Sequence, residues 1–128
     1  MNLLLDTHVF LWSKVNDARM SSAVWSALRD PDNRLYLSAI SVVEMAIKVG
    51  IGKLSVDVPL PEFVSVGMKN AGILEIQLRA AHALRLATLP PHHRDPFDRL
   101  LVATAQEEGL TLLSDDAEIR KYDVNILW

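Results

Sequence analysis

Leu3-Leu4-Leu5, closed at once by Asp6, constrains this chain more than any other stretch. A short continuous apolar run that ends on a carboxylate reads as a strand covered on both faces, which is the signature of a buried parallel strand. A parallel strand needs a crossover to reach its neighbour, so helices must follow it. They do. Val9 to Trp12 carries a short helical pattern, and Ser21 or Ser22 caps a second helix that turns Ala23, Val24, Ala27 and Leu28 inward. Asp30-Pro31-Asp32-Asn33 marks a turn, and Leu35-Tyr36-Leu37-Ser38 is a second strand.

The same alternation continues to the end. Ser41 to Gly50 reads as a helix in which Ser41 and Glu44 have capping-box spacing, with Glu44 and Lys48 one turn apart. Pro59 and Pro61 bracket the start of a helix reaching Lys69, Gly72 breaks it, and Ile73 to Ile76 is a third strand. Leu78 to Leu89 is helical, with His82 as a core or surface histidine. Asp95 is a good N-cap for a helix with Pro96 at its first position, stopped by Gly109. Leu110 to Leu113 is a strand, Ala117 to Tyr122 a short helix, and Val124 to Leu127 a last strand. The order β-α-α-β-α-α-β-α-α-β-α-β predicts one α/β domain over residues 1–128, with a short, mostly parallel sheet between helical layers.

Composition narrows the function classes. Half the residues are apolar and 6% are aromatic, which suits an aliphatic α/β core. There is no cysteine, hence no disulfide or thiolate metal site, in keeping with a reducing cytoplasm. No apolar run approaches the roughly 20 residues that span a bilayer, and the start lacks the basic flank of a signal peptide. The formal charge of −3 does not advertise a nucleic-acid binder, so such a role needs a basic rim or a bridging metal.

Four carboxylates recur at equivalent places. Asp6 and Asp115 or Asp116 follow strands, and Glu44 and Asp98 open helices that follow strands or loops at the same sheet edge. Each also has an ordinary reading: Asp6 caps the next helix, Glu44 reaches back to a backbone N–H, and Ser114 or Asp115 caps the last helix. Gathered together, they would raise one another's pKa unless a hard cation such as Mg²⁺ or Mn²⁺ relieved the repulsion. Such an ion activates water and neutralises a phosphodiester, and so lets an acidic protein act on RNA. Adjacent His92 and His93 do not by themselves make a zinc site; they fit a loop that shapes the site mouth or carries positive charge toward phosphate.

The segments Leu4–Trp12, Ser38–Lys48, His93–Ala103 and Leu112–Asp116, in this order and at these separations, strongly resemble the PIN-domain ribonucleases of the VapC toxin type. The resemblance runs from Met1 to the last strand. It implies the PIN-like three-layer α/β/α sandwich and a Mg²⁺-dependent endoribonuclease, with Mn²⁺ able to substitute, acting as the toxin of a type II toxin–antitoxin pair. It implies an RNA substrate, a VapB-like antitoxin and a homodimer. The acidic quartet, both catalytic and metal-holding, falls on Asp6, Glu44, Asp98 and Asp116; Ser114 supplies the hydroxyl and Asp115 takes the variable position. Thr7, Asp95, Arg99, Ser114 and Asp115 stand around the quartet as supporting or substrate-contacting residues. Asp95 has a capping role or a place behind the ligands, and Arg99 contacts a carboxylate or a phosphate or is a surface helix arginine.

A phosphoacceptor receiver domain would want paired acids after the first strand and a late lysine. A haloacid-dehalogenase-like phosphatase would want an acid at position 8, where His8 stands. A PIN-like RNA-binding module without catalysis is the remaining alternative. Trp12, Trp25, Met45 and Trp128 are candidates for contacts with a partner or for core.

Overall fold

The computed structural model describes residues Met1–Trp128 and is built on a sheet of five strands: β1 (Asn2–Leu5), β2 (Arg34–Ser38), β3 (Ile73–Ile76), β4 (Thr111–Leu113) and β5 (Ile126–Leu127). Their spatial order is β3-β2-β1-β4-β5 and every pairing is parallel. β1 is central, with Leu4 opposite Tyr36 on one side and Leu112 on the other. Its three leucines are wholly buried, because alternate side chains feed different cores. Leu3 and Leu5 join Val9, Phe10, Val24, Leu37 and Leu113 on one face. Leu4 joins Leu101, Val102, Leu112, Ile119 and Tyr122 on the other.

Six helices cover these faces: α1 (Thr7–Val15), α2 (Ser22–Arg29), α3 (Ala39–Gly50), α4 (Leu60–Ala71), α5 (Ala80–Arg85) and α6 (Pro96–Glu108). Residues of α1, α2 and α4 pack into the first core and those of α6 into the second, while α3 sends Met45 to one and Ile40 to the other. This is the expected three-layer α/β/α sandwich.

Several element boundaries differ from the sequence expectation, each for a local reason. Helix α1 begins at Thr7 because Asp6 is its N-cap, accepting the His8 N–H at 2.7 Å. Helix α3 is capped three residues earlier than expected: Ser38, the last residue of β2, accepts the Ile40 N–H and passes the chain straight into helix. Ser41 is therefore buried inside the helix and caps nothing, and Glu44 lies in its second turn. The helix foreseen over Leu78 to Leu89 is α5 followed by a 3₁₀ turn at Leu86–Thr88. There the Thr88 hydroxyl donates to the Arg85 carbonyl at 2.9 Å, and the Arg99 guanidinium faces the Leu86 and Leu89 carbonyls.

Ala117 to Tyr122 forms only a 3₁₀ turn at Ile119–Lys121. Its buried residues, Ile119 and Tyr122, are three apart, the spacing that places two side chains on one side of a 3₁₀ turn. The last strand shortens to two residues. Of the large side chains left between core and surface, Met45 is fully buried, and Trp12, Trp25 and Trp128 are partly buried against the first core.

Gly109 ends α6 at φ 67°, and its N–H returns to the Ala105 carbonyl. A Cβ there would meet no neighbour, so the cost of one is purely that of a left-handed backbone. Gly109→Ala is expected to lose about 1 kcal/mol, a fall of about 4 °C in melting temperature. An unchanged melting curve would mean that the cap is not needed.

Candidate active site

The sheet order places a topological switch beside β1: the chain moves from β1 to β2 and β3 on one side, then crosses to β4 on the other. Ligands of open α/β sheets bind in the crevice beyond the carboxyl ends of strands at such a point. Asp6 follows β1 and Ser114-Asp115-Asp116 follow β4 at this crevice. Helices α3 and α6 contribute Glu44 and Asp98.

Asp6 is buried and both its oxygens are engaged. Oδ1 caps α1, and Oδ2 accepts the Ser114 hydroxyl at 2.6 Å. The two readings of Asp6, cap and site residue, are thus compatible in one side chain. Burial pushes its carboxyl up, against the lowering effect of the Ser114 and His8 hydrogen bonds; the Glu44 charge adds to the rise. The Ser114 hydroxyl in turn accepts the Asp116 N–H at 3.2 Å, so one side chain ties the ends of β1 and β4.

Glu44 is equally enclosed. The Thr7 hydroxyl donates to its Oε1 at 2.9 Å and lies the same distance from the Ser41 hydroxyl. The Lys48 ammonium donates to Oε2 at 2.6 Å, and this bond raises the lysine's pKa against the effect of burial. The negative charges of Asp95 and Asp98 also act on Lys48, which places it at the edge of the acidic group.

Asp98 stands in the first turn of α6, where its carboxyl is pushed up to about 8. Burial is the main cause, followed by the negative charges of Asp95 and Asp6, while His93 opposes the rise and Glu44 adds to it. Asp116 behaves differently. Burial would raise it, but the hydrogen bond from His93 and the amides of Glu118 and Ile119 prevail and hold it below the usual carboxylate range.

His93 joins these two acids. Its Nε2 lies 3.1 Å from Asp98 Oδ2 and 2.9 Å from Asp116 Oδ2. Possible ligand atoms of His93, Asp98 and Asp116 all fall within 4.8 Å of one another. From the sequence, the histidine loop shapes the site mouth or carries positive charge toward phosphate; a contact with two of the acids is not foreseen. The available signal was its position five residues before Asp98, inside the His93–Ala103 block.

The remaining expected residues divide. Thr7 and Ser114 touch members of the quartet directly. Asp95 caps α6, accepting the Phe97 N–H at 2.8 Å, and its charge acts on Asp98. Asp115 is exposed, and its charge acts on Arg19 outside the group. Arg99 points toward the Leu86 and Leu89 carbonyls, with its buried Nε unpaired, and makes no carboxylate contact.

Known proteins match this chain in family and fold. The PIN domain family model matches residues 3–125. Ribonuclease VapC22 of Mycobacterium tuberculosis is 31% identical over 121 residues, covering 94% of this chain and 91% of that protein. Among solved structures, VapBC2 from Rickettsia felis, bound to a DNA fragment from its promoter, superposes with a TM-score of 0.74 at 14% identity, covering 99% of this chain and 98% of that one. VapBC-1 from nontypeable Haemophilus influenzae gives 0.66 at 16% identity, covering 99% and 97%.

Proposed function

We infer a function from one premise: the chain belongs to the PIN-domain family and, within it, to the VapC ribonucleases. It is an endoribonuclease of the toxin–antitoxin type. The further reading is ours: a Mg²⁺- or Mn²⁺-dependent hydrolase that cuts RNA phosphodiesters at the group formed by Asp6, Glu44, Asp98 and Asp116.

The observation that carries this reading is the Asp98 carboxyl. It sits among other acids at the switch point and is held up to about 8, a cost that a cation would remove. The donor set fits a hard ion, because it is made of carboxylate oxygens with neither thiol nor thioether among them. Asp6, Glu44, Asp98 and Asp116 would hold the ion. When bound, it would supply an acidified water and neutralise charge on the phosphate. The protein's own groups do the positioning. Ser114 fixes the Asp6 carboxylate, and Thr7 and Lys48 hold the two oxygens of Glu44.

The same reading includes a VapB-like antitoxin, a homodimer and action in the cytoplasm. Its support is the kinship with VapC22, the likeness to solved VapBC structures and the fact that no helix is long and apolar enough to cross a membrane.

The test uses antitoxin-free protein and total cellular RNA, with Mg²⁺ and with EDTA. Cuts at a few discrete positions, lost in EDTA, are the expected result. Cuts that persist in EDTA would remove the metal from the reading. RNA bound equally in both conditions and never cut would favour the binding module instead.

A further inference from the structure

We infer that His93 is a positioning residue: its Nε2–H holds the Asp116 carboxylate beside Asp98 for a cation, and the imidazole itself does not ligate that cation. The inference rests on the metal-dependent reading above and adds a residue to it.

Three contacts fix the imidazole. The His93 backbone N–H donates to the Tyr122 hydroxyl at 2.9 Å, which anchors the loop to the second core. The Asp95 N–H donates to Nδ1 at 3.0 Å. A ring nitrogen that accepts a hydrogen bond carries no proton, so in the neutral ring the proton sits on Nε2. That Nε2–H donates to Asp116 Oδ2 at 2.9 Å, and Asp98 Oδ2 lies 3.1 Å from the same nitrogen.

The spacing of His93, Asp98 and Asp116 would suit a three-ligand ion, but the proton decides against it. For Nε2 to ligate, the proton would have to move to Nδ1, where it would meet the Asp95 N–H head-on. That amide belongs to the residue whose side chain caps α6, so it cannot easily turn away. The ring is therefore held as a donor toward Asp116. Each carboxylate oxygen has two lone pairs, so accepting from His93 leaves one for a cation. The consequence is preorganisation. The start of α6 and the turn after β4 are distant in sequence; the bond from Nε2–H to Asp116, made beside Asp98, keeps both carboxylates within reach of one ion.

Three measurements test this. In ¹⁵N-labelled metal-free protein, imidazole ¹H–¹⁵N correlations should show His93 as the Nε2–H tautomer; an Nδ1–H ring would overturn the assignment. In Mn²⁺-loaded wild type, pulsed EPR should show no directly coordinated imidazole nitrogen, and finding one would overturn it too. By calorimetry, His93→Ala should weaken Mn²⁺ binding about 10–100-fold, whereas His93→Gln, with an amide donor in place of Nε2–H, should stay within about threefold of wild type. An equal loss in both variants, each melting like wild type, would mean that the imidazole is itself required. If wild type binds no Mn²⁺, the metal reading falls, while the metal-free tautomer still decides the hydrogen-bond arrangement.

Discussion

Asp98→Asn is expected to stop RNA cleavage and at the same time to make the metal-free protein more stable above neutral pH. The two effects share one cause. Asp98 is held up to about 8 by burial and by the charges of Asp95 and Asp6, against roughly 3.9 for a free aspartate. Its folded pKa is raised, so the stability it contributes is complete below about pH 4 and is lost steadily as pH climbs toward 8. Asparagine has nearly the same shape and no charge. The variant's advantage should therefore grow between pH 4 and 8 and level off beyond. Its size should be about 1–3 kcal/mol, the scale of one poorly compensated buried polar group.

With saturating Mg²⁺ the order reverses, since an ion at about 100 times its dissociation constant adds about 2.7 kcal/mol to the wild type. The variant, short of a ligand, gains less. Cleavage should drop by about 10²–10³-fold, the scale of losing one group that stabilises transition-state charge. Thermal melts across pH, with and without Mg²⁺, beside a cleavage assay, check all of this. A variant that cuts at the wild-type rate would remove Asp98 from the active group. A variant that melts below wild type in metal-free buffer at pH 8 would show that the carboxylate is not under electrostatic load.

Much of this site was legible because it lies where periodicities end. The run Leu3-Leu4-Leu5 can only be a covered strand, and a parallel sheet then forces Asp6 to its carboxyl edge. Asp95-Pro96 announces a helix start, which fixes Asp98 in a first turn. Helix α3 was less legible, because Ser41 and Glu44 have capping-box spacing while Ser38 reads as the end of a strand. Only the tertiary fold chooses Ser38, by letting β2 run into the helix without a loop. His93 was hidden for a different reason. Its role depends on an amide two residues ahead and two carboxylates five and 23 residues ahead, and no local pattern encodes that convergence. Arg99 shows the converse. A cation next to Asp98 in sequence suggests a partner for it, yet on a helix adjacent residues point apart, and Arg99 faces the Leu86–Leu89 carbonyls.

The largest loss of stability is expected at Phe10, whose ring is fully buried one turn after Asp6. It meets Phe63 edge-on at 5.9 Å, and Lys14 stands over it while donating to the Gly67 carbonyl at 2.7 Å. Phe10→Ala should cost about 3–5 kcal/mol, a large share of the 5–15 kcal/mol typical of a domain. The contact with Gly67 makes the sharper claim. A Cβ on Gly67 would lie 3.0 Å from Phe10 Cζ and 3.2 Å from Lys14 Cε.

The lysine tail can move, but a ring enclosed on all sides cannot. Alanine in a helix is worth about 1 kcal/mol over glycine, and overpacking costs about 1–3 kcal/mol, so Gly67→Ala alone should be neutral to destabilising. In a Phe10→Leu background the obstructing atom is gone and the same change should stabilise. Denaturant unfolding of the four proteins should give a coupling of about 0.5–3 kcal/mol in favour of the pair. Additivity within about 0.3 kcal/mol would mean that α1 and α4 shift apart freely. The anchorage of α1, and with it the placement of Asp6 at its N-terminus, would then have to come from the sheet alone.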